Sequence, residues 1–373
     1  MRKAKGRVRR PDGKRILITG NEACGEGAVQ AGLRFYAGYP ITPQNELTAY
    51  MSRRMLDVGG TFIQAESELA AISMVFGATV AGVRAMTSSS SPGISLKQEG
   101  ISYLAACELP AVIVNIMRGG PGLGNIAPSQ SDYFQATKGG GHGDYHMVVL
   151  APASCQEMLD FTRELFDIAD RYRGPVMVLG DGILGQMMEP VIVDRRSSID
   201  VRRESQTTND KRQTTKSWAL TGCKGRKPNV IKSLRLKEGE LEAFNEKLEK
   251  KYDLIRKREI RFEKYRTEGA KIIIVAYGTS SRIGRASVDR LRKYGIKAGL
   301  FRPISLWPFP YEALKKLDKG NTKFLTVEMS AGQMLEDVRL AIEDKSRVHF
   351  YGRTGGGIPS EEAIVREAIS YKL

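Results

Sequence analysis

The 373-residue sequence predicts an α/β protein, with a largely parallel sheet covered by helices on both faces and a second, smaller α/β unit after it. Three observations carry that prediction. Short runs rich in Val and Ile alternate with helical patterns up to about residue 193, and most lack the two-residue alternation of a half-exposed strand. After a polar, charged interval the same alternation resumes at residue 271. The composition, 41% hydrophobic and 27% charged, is that of an ordinary globular chain with room for two or three domains.

The elements follow in order. Residues 1–15 form a basic extension without the apolar run of a secretory signal, so a cytoplasmic chain is expected. Residues 16–193 form the first domain, with strands predicted at 16–19, 34–36, 61–64, 84–87, 112–117, 147–150 and 176–179. Thr42-Pro43 reads as an N-cap followed by proline in the first turn of a helix running toward Arg54. The segment 68–81 is apolar nearly all round and predicts a buried helix. Ser154 and Glu157 have capping-box spacing before a helix reaching about Arg171. Residues 194–270 read as a basic linker: a polar stretch, 205–216, then a long charged helix over 238–265. A stripe of Leu241, Phe244, Leu248, Tyr252, Ile255 and Phe262 fits that helix to lie on a neighbour. The last domain, 271–373, opens with a strand at 272–277, the turn Gly278-Thr279-Ser280-Ser281 and a helix over 282–294. Further strands are expected at 298–301 and 324–327.

Composition excludes several functions. No stretch approaches the ~18–20 apolar residues of a spanning helix. Cys24, Cys107, Cys155 and Cys223 are far apart and form no C-x-x-C, which disfavours a disulfide framework or a cluster site in this chain. The net charge of +16 is regional: residues 1–15 hold eight basic residues and one acidic, and residues 195–271 hold 23 and 12. No recognition motif accompanies these segments, so they read as solvated faces or docks for acidic partners before nucleic-acid sites.

Several motifs bear on chemistry. The run Gly119-Gly120-Pro121-Gly122-Leu123-Gly124 follows the strongest strand, where open α/β sheets bind ligands, but it lacks the lysine of a P-loop. Arg118, just before it, is placed either to grip a carboxylate or phosphate or to satisfy loop carbonyls. His142, in a glycine-rich loop, is a cleft candidate; it stands four residues before His146, a spacing that could chelate a metal on a helix, but the surrounding glycines argue against a helix. Gly180-Asp181-Gly182 with Asn209 imitates a magnesium–diphosphate signature, yet Asn209 falls in the least patterned part of the chain, so no metal site is expected here. Glu66 and Glu68 stand where a strand passes into the apolar helix. One carboxylate can serve the helix dipole, and a desolvated Glu68 would also suit proton exchange.

Five motifs then occur in order: Tyr39-Pro40-Ile41-Thr42-Pro43, Gln64-Ala65-Glu66-Ser67-Glu68, the run from Thr87 through Ser91-Pro92-Gly93 to Leu96, Asn115-Ile116-Met117-Arg118-Gly119-Gly120-Pro121-Gly122, and Gly140-Gly141-His142-Gly143-Asp144. With Leu179-Gly180-Asp181-Gly182 and the segment Arg302–Pro308, they make the chain resemble the alpha-type subunit of 2-oxoacid:ferredoxin oxidoreductases over all but residues 1–15. The resemblance implies a pyrimidine-binding domain for thiamine diphosphate followed by a transketolase-C-terminal-like domain. It implies that Glu68 hydrogen-bonds the aminopyrimidine ring nitrogen and favours the imino tautomer that generates the ylid, that Thr42 faces the reacting carbonyl, and that Arg118 lies near the substrate carboxylate. Tyr39, Pro40 and Ile41 would line the cofactor, and Gly119, Gly120 and His142 are substrate-loop candidates. A beta-type partner would hold the diphosphate, Mg²⁺ and a 4Fe–4S cluster, and smaller gamma- and ferredoxin-like subunits complete such complexes. The implied reaction converts a 2-oxoacid and coenzyme A to acyl-CoA and CO₂ and passes electrons to ferredoxin. The segments after Met117 and Trp218 look most like the branched-chain (3-methyl-2-oxobutanoate) type, with the 2-oxoglutarate type next. The rivals are a stand-alone transferase using the Arg118 loop and a basic nucleic-acid-binding protein.

Overall fold

The computed structural model describes residues 13–194 and 216–371. Asn209, most of the basic extension and most of the polar stretch lie outside the described residues. The first part of the chain runs β1 (Gly13–Thr19), α1 (Gly20–Gln30), β2 (Phe35–Gly38), α2 (Asn45–Asp57), β3 (Thr61–Gln64), α3 (Glu68–Val80), β4 (Ala85–Ser89) and α4 (Ser91–Ala106). It continues with β5 (Ala111–Met117), α5 (Tyr133–Thr137), β6 (Val148–Leu150), α6 (Cys155–Tyr172), β7 (Pro175–Asp181), α7 (Gly182–Gln186) and β8 (Met188–Asp194). After the linker come α8 (Glu240–Arg258), β9 (Phe262–Tyr265), β10 (Ile272–Val275), α9 (Gly278–Lys293), β11 (Ala298–Pro303) and β12 (Ser305–Trp307). The chain then runs through α10 (Tyr311–Lys315), β13 (Lys323–Glu328), α11 (Met334–Ala341), β14 (Val348–Gly352) and α12 (Glu361–Ser370).

The main sheet has the order β12-β6-β7-β5-β4-β2-β3, with every pair parallel except β12 against β6. All seven residues of β5 and of β7 are buried, which explains their unbroken apolar runs. A second sheet, β14-β13-β10-β11-β9, is parallel except for β9.

Four expectations change. The first strand does not join the parallel sheet but pairs antiparallel with β8, Ile16 opposite Val191, in a separate ribbon. The long linker helix stops at Arg258, because residues 262–265 leave it to become the edge strand β9 along β11. Its buried positions are Leu248, Tyr252 and Ile255, and the neighbour it covers is the chain's own first domain, where Lys251 Nζ donates to Arg173 O at 3.2 Å. Helix α3 is only half covered: Ala71, Ile72 and Val75 are buried, whereas Leu69 is 49% exposed. Last, β12 was not anticipated, and it carries the second part of the chain back onto the first sheet.

Polar contacts fix the two parts against each other. Gln130 donates from its side-chain amide to Tyr277 O (2.9 Å) and accepts at Oε1 from Ser280 Oγ (2.8 Å) and Met329 N (2.9 Å). Tyr133 donates to Asp337 at 2.5 Å.

Candidate functional site

Because β2, β3, β4, β5 and β7 are parallel, the loops after them emerge at one edge of the sheet. Strand β3 lies on one side of β2 and β4 on the other. The chain leaving β2 and the chain leaving β4 therefore diverge, which opens the kind of crevice where open α/β sheets bind ligands. The motifs carrying Tyr39–Pro43, Glu68, Ser89–Gly93 and Arg118 all fall at that edge.

Glu68 occupies the first turn of α3 and is 5% exposed. Capping is done by Ser67, whose Oγ accepts from Ala70 N at 3.2 Å, while Glu66 is exposed. Across the crevice Gly93 stands in the first turn of α4. A Cβ there would overlap Glu68 Oε1 and Ser89 Oγ, so the two elements approach this closely only with glycine at that position. The hydroxyls of Thr87, Ser89 and Ser90 are buried without partners. Unpaired buried hydroxyls cost about 1–3 kcal/mol each. Such a row beside a buried carboxylate fits a polar, nitrogen-rich ligand group that would pair with both.

Arg118 is 6% exposed, and its guanidinium does part of what the local reading expected. Nη1 donates to Thr42 O (3.0 Å) and Nη2 to Leu123 O (3.1 Å), but buried Nε has no partner. Two loops are thereby tied together, and the buried Nε–H is left without a partner. Gly119 is buried under Asn125, and Gly120 is exposed.

Thr42 does not cap α2. Its carbonyl is held by Arg118, its Oγ1 accepts from Asn45 Nδ2 at 3.1 Å, and the helix begins at Asn45 with no side-chain cap. Tyr39 and Pro40 are exposed on the rim and Ile41 is half-buried. Ser154 Oγ accepts from Glu157 N as expected, but the Glu157 carboxylate returns to Ala153 N, one residue before the cap.

His142 is not part of this cluster. It is exposed, with Nδ1 3.5 Å from Ser102 Oγ and its ring edge-on to Tyr103, far down α4. Nine residues separate Ser102 from Gly93, roughly 13 Å of helix. Asp181 of the Gly-Asp-Gly run is engaged elsewhere. Its Oδ1 accepts from Ile183 N (3.0 Å), Leu184 N (3.1 Å) and Thr279 Oγ1 (2.9 Å), which caps α7 and fastens α9.

Four supporting residues had been given no role from the sequence, although Ser91 and Asn115 stand inside its motifs. Asn115 Oδ1 accepts from Ser91 N (3.1 Å), and its amide donates to Asp132 (2.9 Å). Ser91 Oγ accepts from Arg118 N (3.0 Å) and donates to Asp132 (2.6 Å). Burial pushes the Asp132 carboxyl above its ordinary range. Gln44, wholly buried, accepts from Ser88 Oγ at 2.6 Å and donates to Tyr39 O at 3.3 Å, pinning the Tyr39–Pro43 loop to the end of β4. A polar Asn115 inside an apolar strand was the one available sequence signal.

Residues 26–264 match the pyruvate flavodoxin/ferredoxin oxidoreductase family, thiamine-diphosphate-binding domain, and residues 270–364 match core domain II of pyruvate:ferredoxin oxidoreductase. The chain is 49% identical over 351 residues to the ketoisovalerate oxidoreductase subunit VorB of Methanothermobacter marburgensis, covering 94% of this chain and 96% of that protein. It is 42% identical over 325 residues to the 2-oxoglutarate synthase subunit KorA of Archaeoglobus fulgidus, covering 86% and 90%. Among solved structures it superposes on a 2-oxoglutarate:ferredoxin oxidoreductase from Magnetococcus marinus with 2-oxoglutarate, coenzyme A and succinyl-CoA bound. The TM-score is 0.82 at 28% identity, and the match spans 95% of this chain but 65% of that one. A split-gene transketolase at 15% identity and TM-score 0.57 shares the fold. The parallel sheet, the crevice at its switch point and these matches agree: the chain belongs to the thiamine-diphosphate-dependent 2-oxoacid:ferredoxin oxidoreductase family of enzymes.

Proposed function

We propose that this chain is the alpha-type subunit of a branched-chain 2-oxoacid:ferredoxin oxidoreductase, binding the aminopyrimidine half of thiamine diphosphate in its first domain, residues 16–193. The second domain, 271–373, is transketolase-C-terminal-like, and a beta-type partner supplies the diphosphate site, Mg²⁺ and a 4Fe–4S cluster. Smaller gamma- and ferredoxin-like subunits and ferredoxin complete the electron path. The observation that carries the reading is buried Glu68 at the switch-point crevice, against Gly93 and beside the unpartnered Ser89 hydroxyl.

When bound, thiamine diphosphate supplies the electron sink for decarboxylation. The chain's own residues orient and hold protons. Glu68 Oε shares a proton with the ring nitrogen, and helix α3 points its positive end at that carboxylate. Arg118, fixed by the carbonyls of Thr42 and Leu123, keeps Nε for the substrate carboxylate. Thr42 stands next to Arg118 and faces the reacting carbonyl. Leu123 and Ile126 are 80% and 63% exposed on the same loop and offer apolar contact to a branched side chain.

The test is co-expression with a beta-type partner subunit under anaerobic conditions. Coenzyme-A-dependent viologen reduction is then compared across 3-methyl-2-oxobutanoate, 2-oxoglutarate and pyruvate. The reading expects turnover only with both subunits and fastest with 3-methyl-2-oxobutanoate. A preference for 2-oxoglutarate would move the chain to that subclass, and activity of the chain alone would overturn the shared site.

A further inference from the structure

Lys97 is the unexpected charge in this fold. It lies on α4, one turn beyond Gly93, and is 0% exposed. A buried ammonium normally satisfies its three donors with carboxylates or carbonyls. Here Nζ has one acceptor among the described residues, the backbone carbonyl of Glu68, at the long distance of 3.5 Å. The carboxylate of the same residue is the single charge that acts on it, and burial brings the ammonium down to about 8.

The other titratable groups around the pair have their own partners. Tyr36 on β2 bonds Ser88 and Thr48, and burial pushes its hydroxyl up to about 12. Asp132, just before α5, is tied to Ser91 and Asn115. Tyr145 sits at Gln98, and Glu99 is exposed and bonded to Tyr103. No other charge competes for Lys97 among the described residues.

We propose that Lys97 is a positioning residue for the reaction: a buried counter-charge behind Glu68 that favours its ionised form and so holds the shared proton off Glu68 Oε. The proposal rests on the reading of Glu68 as the cofactor-facing carboxyl. A methionine at this position would fill the same volume, so a fold requirement alone does not explain a charge placed here. Nζ stands against the Glu68 backbone and makes no direct ion pair with its carboxylate, so the charge acts across the buried contact of α3 and α4. An opposite charge within about 4–6 Å displaces a carboxyl's titration downward by about 1 to 3 pH units. Removing it reverses that displacement.

The experiment uses the assembled alpha–beta complex carrying Lys97→Met, Lys97→Gln or Glu68→Gln. Two readouts are taken: the pH profile of kcat, and infrared pH-difference spectra of the cofactor-free complex, in which the protonated-carboxyl band missing from Glu68→Gln belongs to Glu68. The proposal expects both neutral variants to titrate that band, and the acid limb of kcat, about 1 to 3 pH units higher than wild type, with the 2-oxoacid KM nearly unchanged. Unmoved midpoints in a folded Lys97→Met or Lys97→Gln complex would overturn it, because packing alone would then explain the residue. Undiminished turnover by Glu68→Gln would instead overturn the reading of the site, so the two failures are told apart.

Discussion

A methyl group added at Gly93 would overlap Ser89 Oγ and Glu68 Oε1, so Gly93→Ala must push the start of α4 away from α3. Overpacking of this kind costs about 1–3 kcal/mol. The expected result is a modest fall in thermal stability with at least a tenfold loss of thiamine diphosphate affinity, checked by titration calorimetry on the complex. Lys97 makes a second prediction at this scale. Its ammonium titrates near 8 in the fold against 10.5 when unperturbed, so between those values the unfolded chain binds more protons and stability rises with pH. Below about pH 8 the buried charge weighs fully against the fold. Lys97→Met therefore melts higher than wild type at pH 7, and the difference shrinks toward pH 10.5 in paired thermal melts. That Glu68, Thr42 and Arg118 gather at one edge of the sheet was legible because each stands in a contiguous motif at a strand end. The bonding of Ser91 to Asn115 and Asp132 was not, although two of the three stand in those motifs, since it spans 24 and 41 residues and exists only once β4 and β5 lie side by side. Lys97 was hidden for a simpler reason: a lysine on a helix ordinarily faces water.

The loop after β5 acts as one element. Asn125 N donates to Gly119 O at 3.0 Å, Asn125 Nδ2 donates to Gly355 O at 3.0 Å, and Gly356, at φ +90°, lies so close that a Cβ would overlap Ala127. Leu123, whose carbonyl orients Arg118, sits inside this turn. Asn125→Ala should loosen it and raise the 2-oxoacid KM several-fold while the melting temperature, set elsewhere, barely moves; steady-state kinetics beside a thermal melt will check this. Element types were largely readable, and β3 occupies the very residues expected, Thr61–Gln64. Boundaries and partners were less so. The charged pattern of the linker continues through Phe262–Tyr265, but pairing with Leu300–Pro303 turns those residues into a strand. Leu69 and other apolar residues on the uncovered face of α3 gave a pattern indistinguishable from a fully buried helix. The capping reading of Thr42 failed because the helix begins at Asn45, three residues later, and Thr42 Oγ1 takes the Asn45 side-chain amide instead of a backbone N–H.

For the whole molecule, the second domain does more than follow the first. Through Gln130 and the β12–β6 pairing it braces the segment that carries the Arg118 loop. Gln130→Ala would leave Met329 N and Ser280 Oγ buried without partners, while Tyr277 O keeps Ser281 N, and a loss of about 2–3 kcal/mol is expected in denaturant unfolding. The division into two α/β units was legible from the composition shift at the linker, whereas the bracing was not, because it depends on where β12 lands. No helix among the described residues is long and apolar enough to cross a membrane. The central claim is that buried Glu68 serves the cofactor rather than the helix it begins, since Ser67 already provides the cap. The most direct measurement compares wild-type and Glu68→Gln complexes for coenzyme-A-dependent oxidation of 3-methyl-2-oxobutanoate, with melting temperatures recorded in parallel. Turnover falling about a hundredfold or more at unchanged melting temperature is the predicted result. Full turnover in the variant, or a loss explained entirely by unfolding, would contradict it.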